Sequence, residues 1–308
     1  MDTSTVAKLF SRVQSEICSA LETLDGKEKF QADEWTREDL SGGHGGGGLT
    51  RVLRGGAVFE QAGVNFSEVR GNLPKELAEQ MLGERGEPAE PPFYATGVSL
   101  VIHPFSPLVP TVHANFRYLQ VGSHEWFGGG TDLTPYVLFE DDARHFHQSL
   151  KTVCDRHDAQ FYSRFKKWCD EYFYLPHRQE ARGVGGVFFD YLGRESRGNA
   201  AEIEQYFKFV TEMAENWSAS YQPIVERRKN SPWQEQQKNF QLLRRGRYVE
   251  FNLIYDRGTL FGLKTGGRTE SILMSLPPEV RWAYNYKPAA GGAEEKLLSV
   301  LRSPQDWI

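Results

Sequence analysis

The run Thr111-Val112-His113-Ala114-Asn115-Phe116-Arg117-Tyr118-Leu119 alternates between two kinds of side chain. Successive residues of an extended chain face opposite sides, so Val112, Ala114, Phe116 and Tyr118 share one side and His113, Asn115 and Arg117 the other. The period of two predicts a β-strand with one apolar and one polar face. A solvated face usually carries Lys, Glu and Thr. A row of His, Asn and Arg instead combines an acid/base group, an amide and a fork for carboxylates, and reads as a candidate site. Residues 95–103 predict a second strand, and Pro104, Pro107 and Pro110 stop both strands and make a rigid connection, so the two are expected as antiparallel neighbours. On that strand Ser99, Val101 and His103 lie on one side. If the polar faces coincide, Ser99, His103, His113, Asn115 and Arg117 share one pocket.

Outward from this pair, Val6, Leu9, Phe10, Val13, Ile17, Leu21 and Leu24 recur at helical spacing and predict an opening amphipathic helix. Residues 41–48 are rich in glycine but follow no apolar strand and lack a GKS/T ending. They read as a flexible loop near a ligand rather than a phosphate cradle. Residues 126–135, Trp-Phe-Gly-Gly-Gly-Thr-Asp-Leu-Thr-Pro, place Asp132 after a glycine turn, as a cap or as a base for a ligand N–H. Helices are expected at 140–156 and 159–174, a strand at 183–190, and a long helix with Asn199 as N-cap running past Trp217 to Tyr221. Ser231-Pro232-Trp233-Gln234 reads as a capping box with Pro at the first helical position. Residues 247–255 read as the last strand, with Glu250, Asn252 and Asp256 on one side and Asp256 and Arg257 at its end. Residues 258–267 read as a strand or turn, and a helix is expected at 294–302. The basic run Lys238, Arg244, Arg245 and Arg247 reads as a charged helix C-terminus.

The connections are irregular rather than a βαβ alternation. The expected fold class is therefore α+β, a large, mainly antiparallel sheet with α-helices on both faces, in one domain spanning 1–308. The chain has 308 residues, 39% of them apolar, enough to bury a large core. The net charge of −5 argues against nucleic acid or an anionic membrane as the main partner, so an anionic ligand must be captured locally. Cys18, Cys154 and Cys169 are too few and too widely spaced for a disulfide framework, which suits a reducing compartment. The first residues show neither signal-peptide nor transit-peptide character and no long apolar run follows, so a cytoplasmic protein without integral membrane association is expected. Aromatic residues reach 13%, with seven Trp, which fits an aromatic core or a pocket for a large flat ligand. His103, His113, His147 and His177 are the histidines to weigh as a metal cluster. The spacing gives little support: His145 and His147 would project about 200° apart on a helix, and there is no HExxH.

Several longer strings resemble one family. They are Gly97-Val98-Ser99, Pro110-Thr111-Val112-His113 with Asn115 and Arg117, and residues 126–135. They continue with Lys166-Lys167-Trp168-Cys169-Asp170-Glu171-Tyr172-Phe173, residues 244–252, Tyr255-Asp256-Arg257-Gly258-Thr259 and residues 265–277. Together they are similar to aerobic coproporphyrinogen-III oxidase, over nearly the whole chain from about residue 30. The resemblance implies a homodimer built on an antiparallel sheet, with a porphyrinogen in a deep cleft. It implies conversion of two propionates to vinyls, with O2 as oxidant and CO2 and hydrogen peroxide as products. No metal or organic cofactor is then required, although a divalent metal is assigned in some members, at positions matching His103, His147 and His177. His113 matches a proton donor, and Asp132 and Asp256 match candidate catalytic aspartates. Ser99, Asn115, Phe116, Arg117, Arg257, Gly266, Gly267 and Arg268 match substrate contacts. Two departures from the family pattern are Tyr191, where a second Asp is usual after Asp190, and Gly42-Gly43-His44 before the usual four glycines.

Overall fold

The structure is a computed structural model, and it describes residues 1–38, 44–82, 90–196, 199–264 and 267–308. The chain opens with helix α1 (Thr3–Asp25), then strands β1 (Gln31–Glu38), β2 (His44–Arg54) and β3 (Phe59–Asn72), helix α2 (Lys75–Leu82), and strands β4 (Pro92–Pro104), β5 (Thr111–Val121) and β6 (His124–Thr134). Helices α3 (Glu140–His157) and α4 (Phe161–Tyr172) follow, then the short strands β7 (Tyr174–Leu175) and β8 (Glu180–Ala181), and strand β9 (Gly186–Leu192). The rest is helical: α5 (Ala200–Glu215), α6 (Trp217–Arg228), α7 (Glu235–Ile254), α8 (Arg257–Lys264), α9 (Thr269–Leu273) and α10 (Ala293–Arg302). This is the expected α+β class.

Seven strands form one sheet in the order β1-β2-β3-β4-β5-β6-β9, with every adjacent pair antiparallel. Residues directly opposite in such a sheet share a face, so the register defines rows. One row reads Asp33, Thr50, Asn65, Ser99, Asn115, Gly130. The rows beside it read Val52, Gly63, Val101, His113, Asp132, Gly186 and Trp35, Gly48, Ser67, Gly97, Arg117, Gly128. This face is polar and built of small residues, with the indole of Trp35 lying across Gly48, where a Cβ would strike the ring.

The other face carries Ala62, Val64, Val98, Leu100, Ile102, Val112, Ala114, Phe116 and Tyr118, all buried in the main core against α1, α3, α5 and α6. Val6, Phe10, Val13, Ile17 and Leu21 of α1 enter that core at the helical spacing read from the sequence. Each fully buried side chain of this size contributes about 1.5–3 kcal/mol relative to exposure. Part of the polar face is covered by α9 and the chain after it. Gln61 Nε2 donates to the Met274 and Leu276 carbonyls, and Ser271 Oγ lies 2.8 Å from Thr50 Oγ1.

Asp25 ties the end of α1 to the β2–β3 hairpin. Its buried carboxylate accepts backbone N–H groups of Lys27, Glu28, Ala57, Val58 and Phe59 at 2.9–3.3 Å. Burial alone would raise this carboxyl, but the N–H groups of Phe59, Glu28, Val58 and Ala57 outweigh it and hold it below the ordinary value. Asp25→Ala should cost about 3 kcal/mol, seen as a lower midpoint in denaturant unfolding. Because the folded value is depressed, this stabilisation is present at neutral pH and is lost as pH falls through the carboxylate range, so the gap between wild type and variant should close in acid.

Several expected elements differ. Residues 44–48 are strand rather than loop, and residues 41–43 lie outside the described residues. Residues 126–130 run inside β6 rather than forming a turn. The long helix divides at Asn216 into α5 and α6, and the capping box joins Gln234 to Gln237 rather than starting at Ser231. Residues 247–255 are not a strand: they continue α7, whose buried positions Phe240, Gln241, Arg244, Arg245, Tyr248, Phe251 and Asn252 repeat at helical spacing. Residues 258–264 belong to helix α8. The basic run is mid-helix, where buried Arg244 and Arg245 pair with Glu180 and Glu60.

Candidate active site

The pleat of β5 brings His113, Asn115 and Arg117 to the polar face, and the β5–β6 register sets Asp132 opposite His113. His113 Nδ1 lies 2.9 Å from Asp132 Oδ1. Asp132 is 1% exposed and also receives Arg182, with Nη2 at 2.7 Å from Oδ1 and Nε at 3.3 Å from Oδ2. Burial would raise the Asp132 carboxyl; the Arg182 charge and the His113 hydrogen bond outweigh it and keep it ionised, below its ordinary value.

On the same face Arg117 Nη1 donates to Asn115 Oδ1 at 2.8 Å and Nη2 to Asp190 Oδ2 at 2.7 Å. Asp190 Oδ1 is fixed by the Tyr191 N–H at 3.0 Å, and Tyr191 adopts φ 56°, a left-handed conformation uncommon for a bulky residue. Gly128 lies opposite Arg117, and a Cβ there would press on Asp190 Oδ1 and come within 2.9 Å of Arg117 Nε and Nη2. Gly128→Ala should therefore raise KM about tenfold by turning the Arg117 fork, with a stability loss of about 1–2 kcal/mol from the added methyl. Steady-state kinetics beside a melting curve checks both.

Asp256 occupies the turn between α7 and α8. Its Oδ1 accepts the Tyr172 hydroxyl at 2.8 Å, and its Oδ2 accepts the Thr259 N–H at 2.8 Å and the Thr259 hydroxyl at 2.7 Å. Burial again acts upward, and these bonds, with the charge of nearby His113, hold the carboxyl below its ordinary value. Tyr172 is stacked on Phe188 with centroids 4.2 Å apart, and the Arg257 guanidinium lies over the Tyr172 ring at 5.0 Å. At the far end of the floor Arg268 pairs with Asp33 and donates to Ser271 Oγ at 3.1 Å. Cations thus stand at both ends of a floor rich in small residues, with an ionised carboxylate beside it.

The family model described as coproporphyrinogen III oxidase matches residues 5–307. An oxygen-dependent coproporphyrinogen-III oxidase of a Synechococcus species is 50% identical over 315 aligned residues, covering 96% of this chain and 85% of that protein. The enzyme of the same name from Prochlorococcus marinus subsp. pastoris is 48% identical over 318, covering 97% of this chain and 91% of that protein. The chain belongs to the coproporphyrinogen III oxidase family.

Within this coproporphyrinogen III oxidase fold, most expected site residues gather. Ser99, Asn115, Arg117, His113 and Asp132 share the floor, Asp256 and Arg257 stand beside it, and Arg268 closes one end. Gly267 follows α8, its N–H donating to the Gly262 carbonyl at 2.8 Å; Gly266 lies outside the described residues. Phe116 does not belong to this group. Its side chain is in the main core on the opposite face, so only its backbone borders the site. Glu250, expected beside Asp256, instead pairs with Arg178, His177 and Arg247.

The histidines do not form the expected metal set. His103 is buried between Thr111 Oγ1 at 3.2 Å and the Ser275 carbonyl at 2.9 Å, and burial, helped by the Arg245 charge, pushes it down to about 3. His147 donates to the Val184 carbonyl at 3.0 Å and accepts the Tyr162 hydroxyl at 2.9 Å, with burial pushing it down to about 4. His177 lies between Glu250 and Tyr255. Each ring has both nitrogens engaged by protein groups in a different part of the fold. Among the described residues no three His, Cys, Asp or Glu side chains are grouped to hold one ion. Three residues not singled out from the sequence complete the site: Arg182, Asp190 and Tyr172.

Proposed function

We propose that this chain oxidatively decarboxylates two propionate groups of coproporphyrinogen III to vinyl groups, giving protoporphyrinogen IX. Each step consumes one O2 and releases CO2 and hydrogen peroxide: the propionate loses its carboxylate carbon and two reducing equivalents, and O2 gains them. The observation that carries the reading, beside family membership, is Arg117, held by Asn115 and Asp190 on a floor of small residues, with an ionised, partly accessible Asp256 near enough for their charges to act on each other. The proposal includes a homodimer acting in the cytoplasm. Among the described residues no helix is long and apolar enough to cross a membrane.

The two candidate aspartates differ in what they can still accept. Asp132 is 1% exposed and already takes His113 and a two-pronged Arg182, so substrate does not reach it. Asp256 takes three donors, and a carboxylate offers about four lone-pair positions, leaving room for a pyrrole N–H. Its fixed negative charge favours the positive charge that develops on a pyrrole as electrons pass to O2. The reduced oxygen then removes hydrogen from the propionate β-carbon. Arg117 orients the departing carboxylate and His113 serves proton transfer.

The test is product formation from coproporphyrinogen in air and under nitrogen, each with and without a chelator. Protoporphyrinogen in air alone, unaffected by chelation, is the expected result. Binding without turnover in air would reduce the protein to a carrier.

A further inference from the structure

Arg182 is 2% exposed, as deeply placed as the Asp132 it binds, and takes no part in the reaction scheme above. Its guanidinium carbon lies 4.1, 4.4 and 4.8 Å from the ring centroids of Phe173, Tyr248 and Phe251. Its own N–H is tied to the Phe173 carbonyl at 2.8 Å, so both ends of the residue are fixed. The fork reaches both oxygens of Asp132, and Nη1 donates to Asn252 Oδ1 at 2.8 Å. Asn252 is on the last turn of α7, just before Asp256. One side chain therefore joins the sheet-borne pair His113–Asp132 to the helix that presents Asp256. Phe173 packs against Arg182 and also meets the His113 ring edge-on at 5.8 Å.

A buried ion pair of this kind adds little stability over an apolar replacement of the same shape, so stability alone does not account for it. We propose that Arg182 is a positioning residue for the reaction: anchored by Asn252, it neutralises and fixes Asp132 so that His113 holds Nδ1–H toward Asp132 and turns Nε2 to the substrate. This rests on the decarboxylation reading above. It makes Asp132 an orienting group rather than a base. The arrangement follows the general logic in which a buried carboxylate fixes the tautomer of a working imidazole, with an arginine added behind the carboxylate.

The test uses Arg182→Gln, Arg182→Lys, Asp132→Asn and the charge-neutral double substitution Asp132→Asn/Arg182→Gln in the full chain. In Arg182→Gln, kcat should fall about 10–100-fold with KM within about threefold, and Arg182→Lys should recover part of the loss. The double variant should be no worse than Asp132→Asn alone, because Arg182 acts through Asp132. The groups facing His113 are Asp132 from β6 and Asp256 from the α7–α8 turn, with Arg117 along its own strand. Freed of Arg182, Asp132 bears an uncompensated charge and loses the fork that fixes both its oxygens, so the pH profile of kcat should differ from that of the wild type. In 15N-histidine spectra the wild type should show His113 protonated on Nδ1, and Arg182→Gln a mixture of tautomers. Unchanged kcat and pH profile with only a lowered melting temperature, additive losses in the double variant, or an unaltered His113 spectrum would each overturn the proposal. If Arg182→Gln does not fold, Arg182→Lys and the double variant carry the same comparisons. Absence of protoporphyrinogen from the wild type in air is a failure of the functional reading instead, and the histidine spectrum still reports on the positioning claim.

Discussion

Asp256→Asn is expected to lower kcat by about 10³ or more, roughly 4 kcal/mol of transition-state stabilisation, while coproporphyrinogen binding under nitrogen stays within about threefold. The substitution is nearly isosteric. An amide oxygen can still accept the Thr259 N–H and hydroxyl, and the Tyr172 hydroxyl can turn to accept rather than donate, as it already does from the Arg257 N–H at 3.2 Å. What is lost is the fixed negative charge. The ground-state substrate is little affected by that charge, because its pyrroles are neutral. The transition state is strongly affected, because positive charge accumulates on a pyrrole as O2 is reduced. The carboxyl is held below its ordinary value, so it stays ionised through the neutral range, and any acid limb arising from it should lie below the usual carboxylate range. Near-normal turnover in this variant, or an equal loss of binding and kcat, would remove Asp256 from the role given to it.

Legibility in the sequence followed the range of the interaction. The strand pair β4 and β5 was readable because alternation is a local property, and once both strands are antiparallel neighbours the pleat puts Ser99, Asn115 and His113 on one side. The last turns of helix α7 carry a local pattern that resembles a strand. Residues 247–255 are dense in aromatic and β-branched side chains that favour strands, and only the longer window from Phe240, where apolar and buried polar groups recur at helical spacing, reveals the helix. The triple glycine of β6 read as a turn for a similar reason. Its glycines are demanded by what lies across the sheet: Gly128 makes room for Arg117 and Asp190, a contact between residues 73 apart in the chain. Arg182 meets Asp132 across 50 residues and Tyr172 meets Asp256 across 84, so neither pairing leaves a mark in local pattern. The histidines show the converse. His103 and His147 looked available as ligands on residue type alone, and burial among hydroxyl and carbonyl partners assigns them to the interior.

Arg117→Lys should reduce kcat/KM about 100-fold, close to 3 kcal/mol, with KM rising as well as kcat falling. The guanidinium spends one N–H on Asn115 and one on Asp190, which leaves three of its five for a substrate carboxylate. A lysine ammonium keeps the charge opposite Asp190, so the variant should fold and melt close to wild type. It has three donors and no fixed plane; after Asp190 is satisfied it cannot hold Asn115 and a two-pronged carboxylate together. The propionate would then be tethered at one oxygen and free to rotate, and the β-carbon would spend less time in the geometry that loses hydrogen. The loss should therefore be shared between binding and turnover, unlike that of Asp256→Asn, which falls on turnover. Asn115→Ala separates the two parts of the fork: with the charge and Asp190 intact, it should cost no more than about tenfold, mainly in kcat. A lysine variant that matches wild type in both constants would mean that the substrate carboxylate is held elsewhere, with Arg257 and Arg268 as the remaining cations of the site.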